Sequence, residues 1–90
     1  MAVDKLNVKT CTATAELTAV TLDTACQSVR IKNFGSLPVW VGTTPDSSKT
    51  DGLIQIPSMT AEDIDLDESF DTLYVLGSGE SGTVEIRGLG

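Results

Sequence analysis

The chain has no histidine. Without an imidazole, neither a Ser-His nor a Cys-His pair can form, so nucleophilic catalysis of the familiar kinds has no base to work with. Aromatic residues make up only 4% of the sequence, so aliphatic side chains have to build the core. Basic residues are few: Lys5, Lys9, Arg30, Lys32, Lys49 and Arg87 stand against 13 acids and leave a net charge of −7. These bases are scattered, and a surface this negative repels phosphate backbones and anionic lipid, so neither nucleic acid nor membrane is expected as a partner. No apolar run approaches bilayer length, and Met1-Ala2-Val3-Asp4-Lys5 has no signal-peptide core; synthesis in a cytoplasm, without export, is the expectation.

Cysteine is also scarce. Cys11 and Cys26 are too few for a disulfide scaffold, and their spacing fits no zinc pattern. A reducing compartment favours two small apolar thiols. The sharper alternative is a Cys11–Cys26 bond that ties the N-terminal strand to the next segment once the protein leaves the cell.

What remains is strand pattern. Lys5–Lys9 alternates polar and apolar residues, and Thr10–Leu22 is rich in Thr, Ala and Val, with a helix over Ala13–Val20 as the local alternative. Gln27–Asn33 alternates strictly, and so does Leu37–Gly42, with Pro38 marking a strand start or an edge. Thr43–Gly52 reads as a polar loop, Leu53–Ile56 as a short strand, Ala61–Asp67 as an acidic alternating strand, Glu68–Asp71 as a turn, and Thr72–Leu76 and Thr83–Arg87 as strands. About seven or eight short strands follow, in one domain over residues 1–90, as in a small β-sandwich or jelly roll. Val29, Ile31, Val39, Val41, Ile64, Leu66, Leu73, Val75, Val84 and Ile86 form the expected inner face. Trp40 and Tyr74 break the pattern by pointing the other way: each either covers the core's edge or belongs to an interface.

Two motifs invite chemistry and decline it. Gly77-Ser78-Gly79-Glu80-Ser81-Gly82 spells G-x-G-x-x-G, but a strand pattern follows where a dinucleotide site needs a helix, so a hairpin loop is expected and no cofactor. Asp63, Asp65 and Asp67 mimic the first ligands of an EF-hand loop, but Glu68 replaces the required glycine and Tyr74 the final glutamate. A solvated, blunted edge is the simpler reading, with a loose cation bridge between subunits as the minor one. No catalytic, cofactor or metal residue is assigned, and the chain is read as a non-enzyme.

The order of Val29-Arg30-Ile31-Lys32-Asn33, Leu37-Pro38-Val39-Trp40-Val41-Gly42, an acidic alternating strand, Asp71-Thr72-Leu73-Tyr74-Val75-Leu76, a Gly-Ser loop and Thr83-Val84-Glu85-Ile86-Arg87 resembles small tailed-bacteriophage head decoration (capsid cement) proteins. The resemblance runs from about Ala19 to the C-terminus. It implies a compact β-sandwich, a homotrimer on the virion surface, and a major capsid protein as partner. It also implies a stabilising role, since a ligand of the assembled shell favours assembly by mass action. Residues 1–9, through Val3, Leu6 and Val8, would then serve as an arm or first strand, and Trp40 and Tyr74 as interface residues. Competing readings are another virion part, such as a tail, neck or fibre adaptor, and a carbohydrate-binding module.

Overall fold

The computed structural model describes residues 7–46, 48, 52–79 and 82–89. Six strands form one antiparallel sheet: β1 Val8–Ala13, β2 Thr18–Asn33, β3 Val39–Gly42, β4 Ile54–Ile56, β5 Thr60–Leu76 and β6 Gly82–Gly88. Their order across the sheet is β1-β6-β2-β5-β3-β4. No described residue is helical, so Ala13–Val20 resolves into the end of β1, a short connection and the start of β2.

Two strands are long, with 16 residues in β2 and 17 in β5. At about 3.3 Å per residue a straight β5 would reach about 56 Å. The whole molecule measures only 40 Å along its longest axis, so β5 has to bend. The bend is a paired bulge: between Thr21↔Thr72 and Ser28↔Asp65 the β2–β5 register shifts twice, around Cys26↔Phe70. Six strands therefore stand where the sequence pattern suggested seven or eight. Thr18–Leu22 and Gln27–Asn33 are halves of one strand, and the expected turn at Glu68–Asp71 is the bulged middle of another.

The bend curls the sheet into a half-barrel. One half holds β1, β6, the C-terminal part of β2 and the N-terminal part of β5; the other holds the remaining parts of β2 and β5 with β3 and β4. Side-chain phase flips once along each long strand. Even positions Val20 and Leu22 are buried before the bend in β2, and odd positions Val29 and Ile31 after it. A single inserted residue reverses which face a strand buries, so the bulges let both halves of each strand line one interior. Eight of the ten expected inner residues are buried, Ile64 and Leu66 being half-buried; Ala13, Val20, Leu22, Cys26 and Ile56 complete the core.

Two asparagines hold the frame. Asn7 Oδ1 accepts from the backbone N–H of Asp23 (2.9 Å) and Thr24 (3.4 Å), while Nδ2 donates to Thr24 O (2.9 Å) and Cys26 Sγ (3.1 Å). It thereby satisfies backbone groups that the bulge takes out of the ladder. Asn33 is 1% exposed. Its Nδ2 donates to Leu37 O (2.9 Å), Ile56 O (3.2 Å) and Pro57 O (3.2 Å), and its Oδ1 accepts from Gly35 N–H (2.9 Å). One side chain thus ties the end of β2 to the following turn and to the end of β4. Gly88 is required where it sits, because a Cβ there would lie 2.5 Å from both Asn7 Nδ2 and Cys26 Sγ.

The Gly77–Gly82 segment is not a hairpin loop. It joins β5 to β6, and β2 lies between those two strands, so the chain crosses over one neighbour instead of turning back on itself. The sequence shows that a strand follows the glycines but not which strand it pairs with.

Asn33→Ala leaves buried carbonyls without a donor and should cost about 3 kcal/mol. Urea unfolding checks this, with the midpoint falling and the slope unchanged. Gly88→Ala should cost about 2 kcal/mol by overpacking. In a double-mutant cycle Asn7→Ala/Gly88→Ala should cost clearly less than the sum of the single changes, since one partner of the clash is gone.

Candidate interaction face

The two outer faces of the bent sheet differ in chemistry. On the β1–β6–β2–β5 half, the register lays out a row Val8–Arg87–Arg30–Asp63 and a row Thr10–Glu85–Lys32–Ala61. Arg30 and Arg87 are like charges directly opposite each other, an unfavourable pairing. Each is drawn to its own acid. Arg30 donates from Nε to Asp63 Oδ1 (2.6 Å) and from Nη2 to Oδ2 (3.1 Å), and Arg87 Nη2 donates to Glu85 Oε1 (3.1 Å). The bidentate guanidinium beside Asp63 holds its carboxyl below the ordinary carboxylate range. Asp65 accepts from Ser28 Oγ. Two of the three aspartates that mimic a cation loop are therefore engaged with β2, and no group of three or more metal-ligating side chains occurs among the described residues.

The other outer face is built from rows of uncharged residues, with the Asp71 carboxylate at one end accepting from Thr72 Oγ1 (3.1 Å). Trp40 stands opposite Leu76 on β5 and Gln55 on β4, and Tyr74 stands opposite Gly42 on β3 and Ala19 on β2. Trp40 and Tyr74 are thus diagonal neighbours on adjacent strands, within reach of each other across the pleat. The next row is Thr21 and Thr72, whose hydroxyls lie 3.3 Å apart. Trp40, Tyr74 and Leu76 are half-buried, and Ala19, Thr21 and Gln55 are exposed. Among the described residues these rows make a strip of uncharged side chains bordered by Asp71, with two aromatics at its centre, on a chain that is 21% charged.

Of the sequence-predicted interface residues, the fold brings Trp40 and Tyr74 together and leaves Val8 elsewhere. Val8 is on edge strand β1, opposite Arg87, on the charged face. Its outward position follows from its neighbours: Asn7 is spent on the β2 bulge, and Lys9 reaches Asp23 at 3.0 Å, so both polar residues turn inward over β2. Val3 and Leu6 lie outside the described residues. Leu76 and Ala19 were missed. The signal for Leu76 was present, because Leu73-Tyr74-Val75-Leu76 is apolar on both faces, as a strand covered on both sides would be. Cys11 and Cys26 are free thiols, one half-buried on β1 and one buried in the bend, and burial raises the pKa of Cys11.

Arg30→Ala should return the Asp63 carboxyl to its ordinary titration range, as read by carbon-detected NMR. A depressed carboxyl stabilises the fold above the unfolded-state value, near 3.8, and that contribution disappears as pH falls through the folded value. The difference in unfolding midpoint between wild type and variant should therefore close on acidification below that point, and remain small throughout because the pair is exposed.

No family model, no curated protein and no solved structure matches this chain.

Proposed function

We propose that the protein is a structural, non-enzymatic virion component that binds the outer surface of an assembled phage capsid and stabilises it, as a homotrimer whose subunits meet through the Trp40–Leu76–Tyr74 face. One observation carries this reading. The fold places Trp40, Tyr74 and Leu76 side by side among uncharged residues, while the other outer face is laced with ions. Interface centres are depleted in charge and enriched in Trp and Tyr, and such aromatics dominate binding energy where they occur. The acidic surface suits a position away from packaged DNA. The two halves of the bent sheet, facing each other across the core, are read as the sandwich of such a decoration protein. A chain of 90 residues buries a modest share of its surface alone, so association adds stability that the monomer lacks.

A carbohydrate-binding module is the second reading, because an aromatic pair on a flat polar-rimmed face also stacks sugar rings.

Light scattering on a sizing column separates them. The expected mass is about three times the 9.5 kDa chain. Trp40→Ala should weaken association by about 30-fold, the loss of about 2 kcal/mol from a central anchor. Trp40→Ala/Tyr74→Ala should elute as a monomer with an unchanged circular-dichroism spectrum. A wild-type monomer whose Trp40 emission is quenched by oligosaccharide would transfer the face to glycan binding. A trimer indifferent to both substitutions would remove the face from the assembly.

A further inference from the structure

The N-terminal half of β5 has a partner on one side only. Residues 60–65 pair with β2, and β3 pairs with β5 only at Tyr74, Val75 and Leu76. Beyond Gly42 the line of β3 ends. Gly42 is pressed against Gly52 O and Leu53 Cδ2, each 2.6 Å from where a Cβ would stand, and the chain turns away there. Among the described residues no strand takes up that line, and the edge of β5 from Thr60 towards Thr72 has no ladder partner there.

Beside this edge lies an apolar cavity of about 130 Å³, reaching in to Val29, Val41 and Leu73 and bordered at its mouth by Ile54, Ile64 and Leu66. A dry cavity of about 150 Å³ accepts a benzene ring, so an aliphatic side chain fits one of this size. Ile54 is 42% exposed although its partner Val41 is buried, so the inner face is left uncovered at this point.

The charges along the edge are of one sign. On the mouth side the alternate positions read Glu62, Ile64, Leu66, Glu68, and between them stand Asp63, Asp65 and Asp67. Acids alone would blunt an edge against pairing. An acidic edge beside an open aliphatic cavity does something more selective: it disfavours acidic strands and fits one whose aliphatic side chains alternate with basic ones.

We propose that the edge of β5 accepts an extended segment of a partner polypeptide, with aliphatic side chains facing Ile64 and Leu66 and entering the cavity, and with lysines or arginines facing Glu62, Glu68 and Asp67, the aspartate not engaged by Arg30 or Ser28. Backbone pairing supplies affinity in such strand addition, and alternate side chains supply selectivity. The added strand lies where β3 would have continued. The proposal is independent of the Trp40 face.

The test uses the full chain and a blocked synthetic peptide, Lys-Lys-Val-Lys-Val-Lys-Lys, whose pattern mirrors residues 62–68 in either strand direction. Titration followed by amide NMR should saturate. Shifts and slowed hydrogen exchange should be confined to residues 62–69 and the cavity lining. A peptide of the same composition in block order, five lysines then two valines, should bind at least about tenfold more weakly, and Glu62→Lys/Glu68→Lys should cost about tenfold while melting like wild type. Trp40→Ala should leave the titration unchanged, which separates this outcome from failure of the assembly reading. The proposal is overturned by absent saturation, by equal binding of the block-order peptide, or by shifts mapping to the Trp40 face. It is also overturned if residues 62–69 are already protected in the free protein and lose protection on dilution, which would make a second copy the occupant.

Discussion

The bend shared by β2 and β5 is the constraint on which the rest of the fold depends. Bulging two adjacent strands at one place removes several backbone groups from the ladder, and those groups take other partners. Asn7 meets that demand with both ends of its amide, bonding the N–H groups of Asp23 and Thr24 and the carbonyl of Thr24. The Lys9–Asp23 ion pair draws the same stretch of β2 onto β1. The bend is therefore anchored from the opposite edge of the molecule. That anchoring explains why β1 turns its polar residues inward and shows Val8 to the surface, against the usual economy of an amphipathic strand.

Two consequences follow from the phase flip at the bend. The interior stays apolar on both sides of it, because Val20 and Leu22 before it and Val29 and Ile31 after it all point inward despite their opposite parity. The exterior, by contrast, is divided into two chemistries. Residues between the buried positions are Arg30, Lys32, Asp63 and Asp65 in one half and Ala19, Thr21, Thr72 and Tyr74 in the other. An exposed charged ladder contributes little to stability, since surface ion pairs are screened and costly in side-chain entropy. Its effect is to keep that face solvated. Among the described residues the other face has no such ladder, and it holds the only Trp and the only Tyr of the sequence.

Much of this was legible in the residues. Period-two alternation located the strand segments from Gln27 onward and most of the core, because most inward positions are aliphatic and most breaks are marked by Gly, Pro or Asp. The continuity of β2 and β5 was not legible. A change of phase in sequence looks the same whether the chain turns back or bulges straight on, and only the cross-strand register distinguishes the two. Trp40 and Tyr74 could be seen to point away from the core, but their adjacency depends on β3 pairing with the end of β5, a contact between distant segments. The role of Asn33 was hidden for a different reason: a polar residue at the end of an alternating strand reads as a terminus, and nothing local shows that Leu37, Ile56 and Pro57 will bring their carbonyls to it. Asn7 was hidden in the same way, inside a run whose alternation pointed to the wrong face.

The half-barrel remains open between β4 and β5, which are consecutive in the chain but not neighbours in the sheet. β4 has only three residues, and Asn33 fixes its end at Ile56 and Pro57, close to the turn that starts β5. Met59 completes that turn with a positive φ of 54°, a conformation that costs a non-glycine residue free energy and persists only when its surroundings impose it. The two strands leave the turn and form no ladder, and Ile54 of β4 with Ile64 and Leu66 of β5 line the cavity between them. The two polar knots divide the work: Asn7 pins the bend of β2, and Asn33 ties the end of β2 to the end of β4.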